Sequence, residues 1–277
     1  MQLVAQLKKL LDSQPALSKA MALSVQDTFF FTFNYTSCKL AGCNLTQDTA
    51  SAMLEGYRVK ETDRDFTYQQ MLLNQAAATN FMVEQAQAGV PLSLALAQEF
   101  NRLVLATGIY AEQAGQFRNQ PIHVEGAKNF APDPEVILSK LSQLIMDYNN
   151  DLASGKAVLE RAIRFHADFL HLQPFVDGNG RVARLILNFE LMKAGYPLLC
   201  IQPADKNEYF KCLSSADRGN YSAINELLHL EMVRSLNVML NAGGRQLSRS
   251  CPELAQQVAE LIPFPHKMIV EKTGRSL

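Results

Sequence analysis

Apolar residues recur at three- and four-residue intervals along most of the chain, which predicts a helical protein. Residues 1 to about 33 read as one or two helices, broken at Pro15, and Phe29–Thr46 reads as a Phe-rich core helix ending at Gly42. Between residues 60 and 110, Asn74, Ala77 and Phe81 mark one helical face, and Leu94, Ala97, Phe100, Leu103 and Val104 mark another. The period then shortens. Gly115–Gly126 alternates around a turn, which predicts a small β-hairpin.

Ala131-Pro132-Asp133-Pro134 reads as a linker into a helix over Glu135–Asn149. Val158, Leu159, Ala162, Ile163, Phe165, Phe169 and Leu172 then share a face, and Pro174 stops that helix. Val182, Leu185, Ile186, Phe189 and Met192 form the next face, with Asn179 as its expected cap and Gly195 and Pro197 at its end. A helix over Tyr221 to about Leu240 follows. Gly243-Gly244 opens a polar tail with one amphipathic segment, Leu254, Val258, Leu261 and Ile262.

The connector Phe175-Val176-Asp177-Gly178-Asn179-Gly180-Arg181 carries the candidate chemistry. Two glycines allow a sharp turn and close approach to a ligand, and free amides at the start of the following helix form an anion site. Arg181 and Arg184 stand three apart on the first turn and are placed to add charge-assisted hydrogen bonds to a phosphate. Asp177 is placed to hold a divalent cation against that phosphate. The same residues also make a plain turn followed by two solvated arginines, and residue chemistry alone leaves both readings open. GNGRVA follows a helix rather than a strand, which excludes a Rossmann site.

Composition narrows the class. With 277 residues, 48% hydrophobic and 19% charged, the chain can bury a substantial core. A net charge of -1 and the lack of a dense basic cluster argue against a nucleic-acid partner. Five scattered cysteines show no zinc spacing and read as reduced thiols. Charges interrupt the apolar run at the N-terminus, and no run reaches membrane-spanning length, so the expectation is a cytoplasmic protein without a membrane partner.

The string PF-x-DGNGR-x-x-R, preceded by H-x-x-F-x-x-L, resembles the signature of the Fic (Fido) family, H-x-x-F-x-x-I-H-P-F-x-D-G-N-G-R-x-x-R. The resemblance spans about residues 28 to 240. It implies an all-α helical bundle with a small β-hairpin flap, an N-terminal helical region over 1–110, a Fic core over 111–240 and a short tail over 241–277. It further implies transfer of AMP from ATP, carried with Mg2+, to a hydroxyl of a target protein. Gln173 stands where the family has its catalytic histidine. A glutamine amide cannot serve as a general base near neutral pH, so the resemblance implies nucleotide binding with weak or absent transfer. An active transferase and a nucleotide-independent scaffold are the alternatives. His171 and His166 are expected to be structural rather than substitutes for the base.

The resemblance also assigns individual residues. Gly178, Asn179, Gly180, Arg181, Arg184 and Tyr209 would bind the nucleotide, and Asp177 its metal. Phe117, Arg118, Ile122, His123 and Val124 would form the flap that holds a target by strand addition. Tyr35–Thr46 resembles the Y-N-S-N-A-I-E-G-N-T-L-T stretch of Fic proteins with an inhibitory helix, whose glutamate pairs with the second arginine of the loop; here that position is Ala41. A second register, Ser51 to Gly56 with Glu55, also fits the short inhibitory pattern. A homodimer through the N-terminal helices is compatible with such a fold.

Overall fold

A computed structural model describes residues 2–57, 63–122, 131–151 and 157–262. Its helices are α1 (Gln2–Ser13), α2 (Lys19–Leu40), α3 (Gln47–Leu54), α4 (Asp63–Gln87), α5 (Leu94–Val104), α6 (Pro134–Asn150), α7 (Val158–Leu172), α8 (Asn179–Lys193), α9 (Lys206–Ala216), α10 (Ser222–Asn241), α11 (Leu247–Ser250) and α12 (Pro252–Leu261). The expected all-α class holds. None of these helices is long and apolar enough to cross a membrane.

The starts follow local chemistry. Ser18, Thr46 and Ser93 each accept a backbone N–H in the first turn of α2, α3 and α5, and Pro134 sits where a missing N–H costs nothing in α6. α1 stops before Pro15, as the sequence indicates.

The fold is organised around α8. It packs against α4, α5, α7 and α2, and every residue from Arg181 to Leu191 is buried. One apolar face is therefore too narrow a description of this helix: it is enclosed on all sides, which its mixed sequence hides. One side joins a core of Phe33, Phe100, Phe169, Phe175 and Phe189, and the other joins Leu187, Leu191, Ile163, Leu228 and Leu236. α1 and α12 cover the outer side of α10, which seats the amphipathic segment of the tail through Leu254 and Val258.

The expected hairpin is represented among the described residues by a single antiparallel bridge, Phe117 to Phe175. That bridge joins the segment to the loop after α7 rather than to a second arm. His123 and Val124 lie outside the described residues.

Candidate active site

The loop between α7 and α8 is held in shape from below and from both sides. α7 ends with Gln173 donating its N–H to Phe169 O (3.1 Å) at φ 46°, the only positive φ outside glycine among the described residues. Such a left-handed conformation costs about 1–2 kcal/mol in an L-residue. Pro174 disfavours continuing the helix, and Arg118 holds the result: its Nε donates to Gln173 O (2.7 Å), its Nη2 to Leu172 O (3.3 Å) and Pro132 O (2.5 Å), and its backbone N–H to Pro174 O (2.9 Å).

Arg118 was expected on a target-docking flap. It is instead buried as the clamp on the helix end, because the last-turn carbonyls of α7 need donors. Phe117 is likewise turned inward, stacking on Phe175 with centroids 5.4 Å apart. Ile122 is half-buried next to Pro121.

Asn179 is not the cap of α8. The cap position is Gly178, and the Asn179 side chain reaches back to Phe175, accepting its N–H (2.9 Å) and donating to its carbonyl (2.7 Å). It thus closes the loop as a ring. A second asparagine, Asn101, props the loop from α5: its Nδ2 donates to Asp177 O (2.9 Å) and its Oδ1 accepts Gly115 N–H (2.9 Å). The sequence reading missed Asn101; the signal was a polar residue one turn beyond Ala97 on an apolar face.

Close approach bears on both glycines, and at Gly178 a left-handed backbone adds to it. Gly178 has φ 79°, and a Cβ there would lie 3.0 Å from Val104 Cγ2 and 3.2 Å from Asn101 Nδ2. Gly178→Ala is expected to destabilise the protein by about 1–3 kcal/mol, read as a fall in Tm of several degrees; an unchanged melt would contradict this packing. At Gly180 a Cβ would meet Arg184 Nη1 at 3.2 Å, so this glycine makes room for the guanidinium.

The arginines do not form a solvated face, and they do not project outward as the cradle reading expected. Each is 4% exposed. Arg181 donates to Val104 O (2.9 Å) and Asp177 Oδ2 (3.2 Å). Arg184 donates through Nε to Ser37 Oγ and through Nη2 to Ser37 O, both at 2.9 Å. The enclosure of α8 by its neighbours turns both guanidiniums onto protein carbonyls. It is the end of α2, through Ser37, that meets Arg184. Ala41 is the C-cap of α2, and Glu55 caps α3 with Ser51 Oγ donating to it (3.1 Å).

Tyr209, expected among the nucleotide contacts, is 1% exposed, with its hydroxyl between His166 and Arg184. His166 Nδ1 is 3.0 Å from Ala183 O, and since a carbonyl only accepts, that nitrogen carries the proton. Nε2 therefore accepts from the Tyr209 hydroxyl (2.7 Å), whose oxygen faces Arg184. Burial pulls His166 down to about 4. A depressed histidine contributes stability that is present above its unfolded value of about 6.5 and is lost as pH falls toward 4. The His166 ring resonances are expected to stay those of a neutral imidazole from pH 8 to 5; titration near 6.5 would contradict the buried network. His171 points elsewhere, with Nδ1 3.2 Å from Asp217 Oδ1.

The electrostatic balance is uneven. Among the described residues, two buried guanidiniums lie at the amide end of α8 with one carboxylate in contact, Asp177 on Arg181, whose side chain is 47% exposed. Burial pulls Arg184 below the usual guanidinium value, the cost of a charge enclosed with neutral partners.

Residues 91–191 match the Fic/DOC family model. The chain carries a Fic domain. Over 149 residues it is 32% identical to the protein adenylyltransferase Fic of Aedes aegypti, a stretch covering 52% of this chain and 28% of that protein. The match to the Drosophila melanogaster protein of the same name is 25% over 191 residues, 69% of this chain and 38% of that one. The chain thus spans less than half the length of these relatives. Its Fic fold superposes on a Fic-domain-containing signalling protein of Bacteroides thetaiotaomicron with a TM-score of 0.78 at 23% identity, covering 88% of this chain and 98% of that one. At that identity the superposition speaks for the fold alone.

Proposed function

We propose that this Fic domain binds a magnesium–nucleotide, ATP in the first instance, at the Asp177–Arg184 loop, and that it transfers AMP weakly or not at all. The observation that carries the binding is the surplus of positive charge among the described residues: Arg181 and Arg184 are buried with carbonyl and hydroxyl partners at the amide end of α8, and one half-exposed carboxylate, on Arg181, opposes them. An anion at the loop would supply the missing negative charge, and phosphate matches both the amides and the guanidiniums.

The donor set bears on the metal. Among the described residues no three His, Cys, Asp or Glu side chains cluster to hold a metal by themselves. A single carboxylate fits magnesium that arrives already on phosphate oxygens, since magnesium keeps several oxygen ligands of its own and uses one or two protein carboxylates. Asp177 would supply that ligand. The metal would neutralise phosphate charge.

The reading of weak transfer rests on Gln173. A target hydroxyl attacking the α-phosphate must lose a proton, and the glutamine amide has no basic atom near neutral pH. Arg118 fixes the backbone carbonyl of Gln173, and the side-chain amide beyond it can donate and accept hydrogen bonds but cannot take a proton from a hydroxyl. The competing reading is an active adenylyltransferase, favoured by the names of the relatives. Heat of ATP binding that grows with magnesium tests the binding, and labelling of wild type against Gln173→His tests the transfer.

A further inference from the structure

α2 ends in a paired-bond cap that carries a thiol at each of its two meeting points. Gly42, at φ 94°, donates its N–H to Lys39 O (3.1 Å), and Cys43 donates its N–H to Cys38 O (3.0 Å). This is the Schellman arrangement, in which the side chain two residues past the cap lies against the one three residues inside the helix end. Here those side chains are Cys43 and Cys38. Both thiols point at one turn of α4: Cys38 Sγ lies 3.7 Å from Met71 O and Cys43 Sγ 3.9 Å from Tyr68 O. Carbonyls three residues apart on a helix are separated by about 4.5 Å along its axis. The two sulfurs also share a small core with Leu45, Ala50, Met53 and Leu72.

We propose that Cys38 and Cys43 form a disulfide that locks the end of α2 and, with it, the grip of Ser37 on Arg184. The bond stands on the cap geometry alone; its effect on ligand binding rests on the proposed nucleotide site.

The oxidant is a low-molecular-weight disulfide of the glutathione type. The Cys43 thiolate attacks one of its sulfurs and expels one thiolate, and the Cys38 thiolate then attacks Cys43 Sγ and expels the second. Two electrons pass to the oxidant, which leaves as two thiols carrying the protons that the cysteines gave up. Burial raises both thiols, Cys38 up to about 12, so exchange proceeds when the last turn of α2 opens. Once formed, the bond closes a ring through Lys39, Leu40, Ala41 and Gly42, and the helix end can no longer unwind. Ser37 is the residue before Cys38, so its two bonds to Arg184 are held with it.

The test equilibrates the whole chain in glutathione redox buffers, quenches in acid and alkylates free thiols. Peptide mass spectrometry should find Cys38 and Cys43 linked and lighter by two hydrogens, with Cys200, Cys212 and Cys251 alkylated. Separate alkylation of Cys38 and Cys43 in the most oxidising buffer, including mild denaturant to open the helix end, would overturn the bond. Amide exchange over residues 39–43 should slow on oxidation in wild type and not in Cys43→Ser; unchanged exchange in the linked protein would overturn the lock. ATP affinity should fall about tenfold on oxidation. Equal ATP affinity in a linked, slowed protein would overturn the coupling to Arg184, whereas failure of the reduced protein to bind ATP would remove the nucleotide reading and leave the bond and lock to be judged by the first two readouts.

Discussion

Gln173→His is expected to raise self-labelling with radiolabelled ATP by about 10²- to 10⁴-fold, the usual worth of a positioned general base. The substitution changes basicity and little else. Position 173 is left-handed, and histidine is among the residues that tolerate that region. The hydrogen bonds that fix the position use the backbone: Arg118 binds the carbonyls of Leu172 and Gln173, so the new imidazole inherits the same anchor. Equal, strong labelling of wild type and variant would sink the claim that Gln173 limits transfer.

Arg184→Ala is expected to weaken MgATP binding by about 10- to 100-fold, since a hydrogen bond from a charged donor contributes about 1.5–3 kcal/mol. The removal also leaves Ser37 O and Oγ without their donor, so a thermal melt has to accompany the titration. Arg184→Lys keeps the charge but not the paired geometry, and should fall between wild type and alanine. Arg181→Ala should behave alike, with a larger share of the loss from the contact to Asp177. Affinity unchanged in a folded Arg184→Ala protein would mean that Arg184 is purely a strut between α8 and α2.

Much of the fold is legible in the sequence. Pro15 and Pro174 end helices because the residue before a proline is pushed out of the helical region, Pro134 opens one where a missing N–H costs nothing, and the apolar spacing of α7 reports its buried face directly. The loop stood out because two glycines and two arginines meet at a helix start, a pattern that fits an anion site and a plain turn alike. What remained hidden was long-range. Nothing in the local pattern says that Arg118 would clamp a carbonyl 55 residues away, that Asn101 would prop Asp177, or that Arg184 would find Ser37 across 147 residues. Those contacts follow from the way α2, α5 and α8 cross, which periodicity does not encode. Asn179 was misjudged for a related reason: as a cap it needed only its own helix, whereas the loop before it offered two unsatisfied groups on Phe175.

Calorimetric titration of the purified protein with ATP, with and without magnesium, tests the central claim most directly. The account predicts binding that strengthens when magnesium is present, because the half-exposed Asp177 carboxylate and the buried positive charge among the described residues would suit a metal already carried on phosphate. No binding at about millimolar ATP, a free energy weaker than roughly 4 kcal/mol, would contradict it and leave the loop as a turn between two core helices.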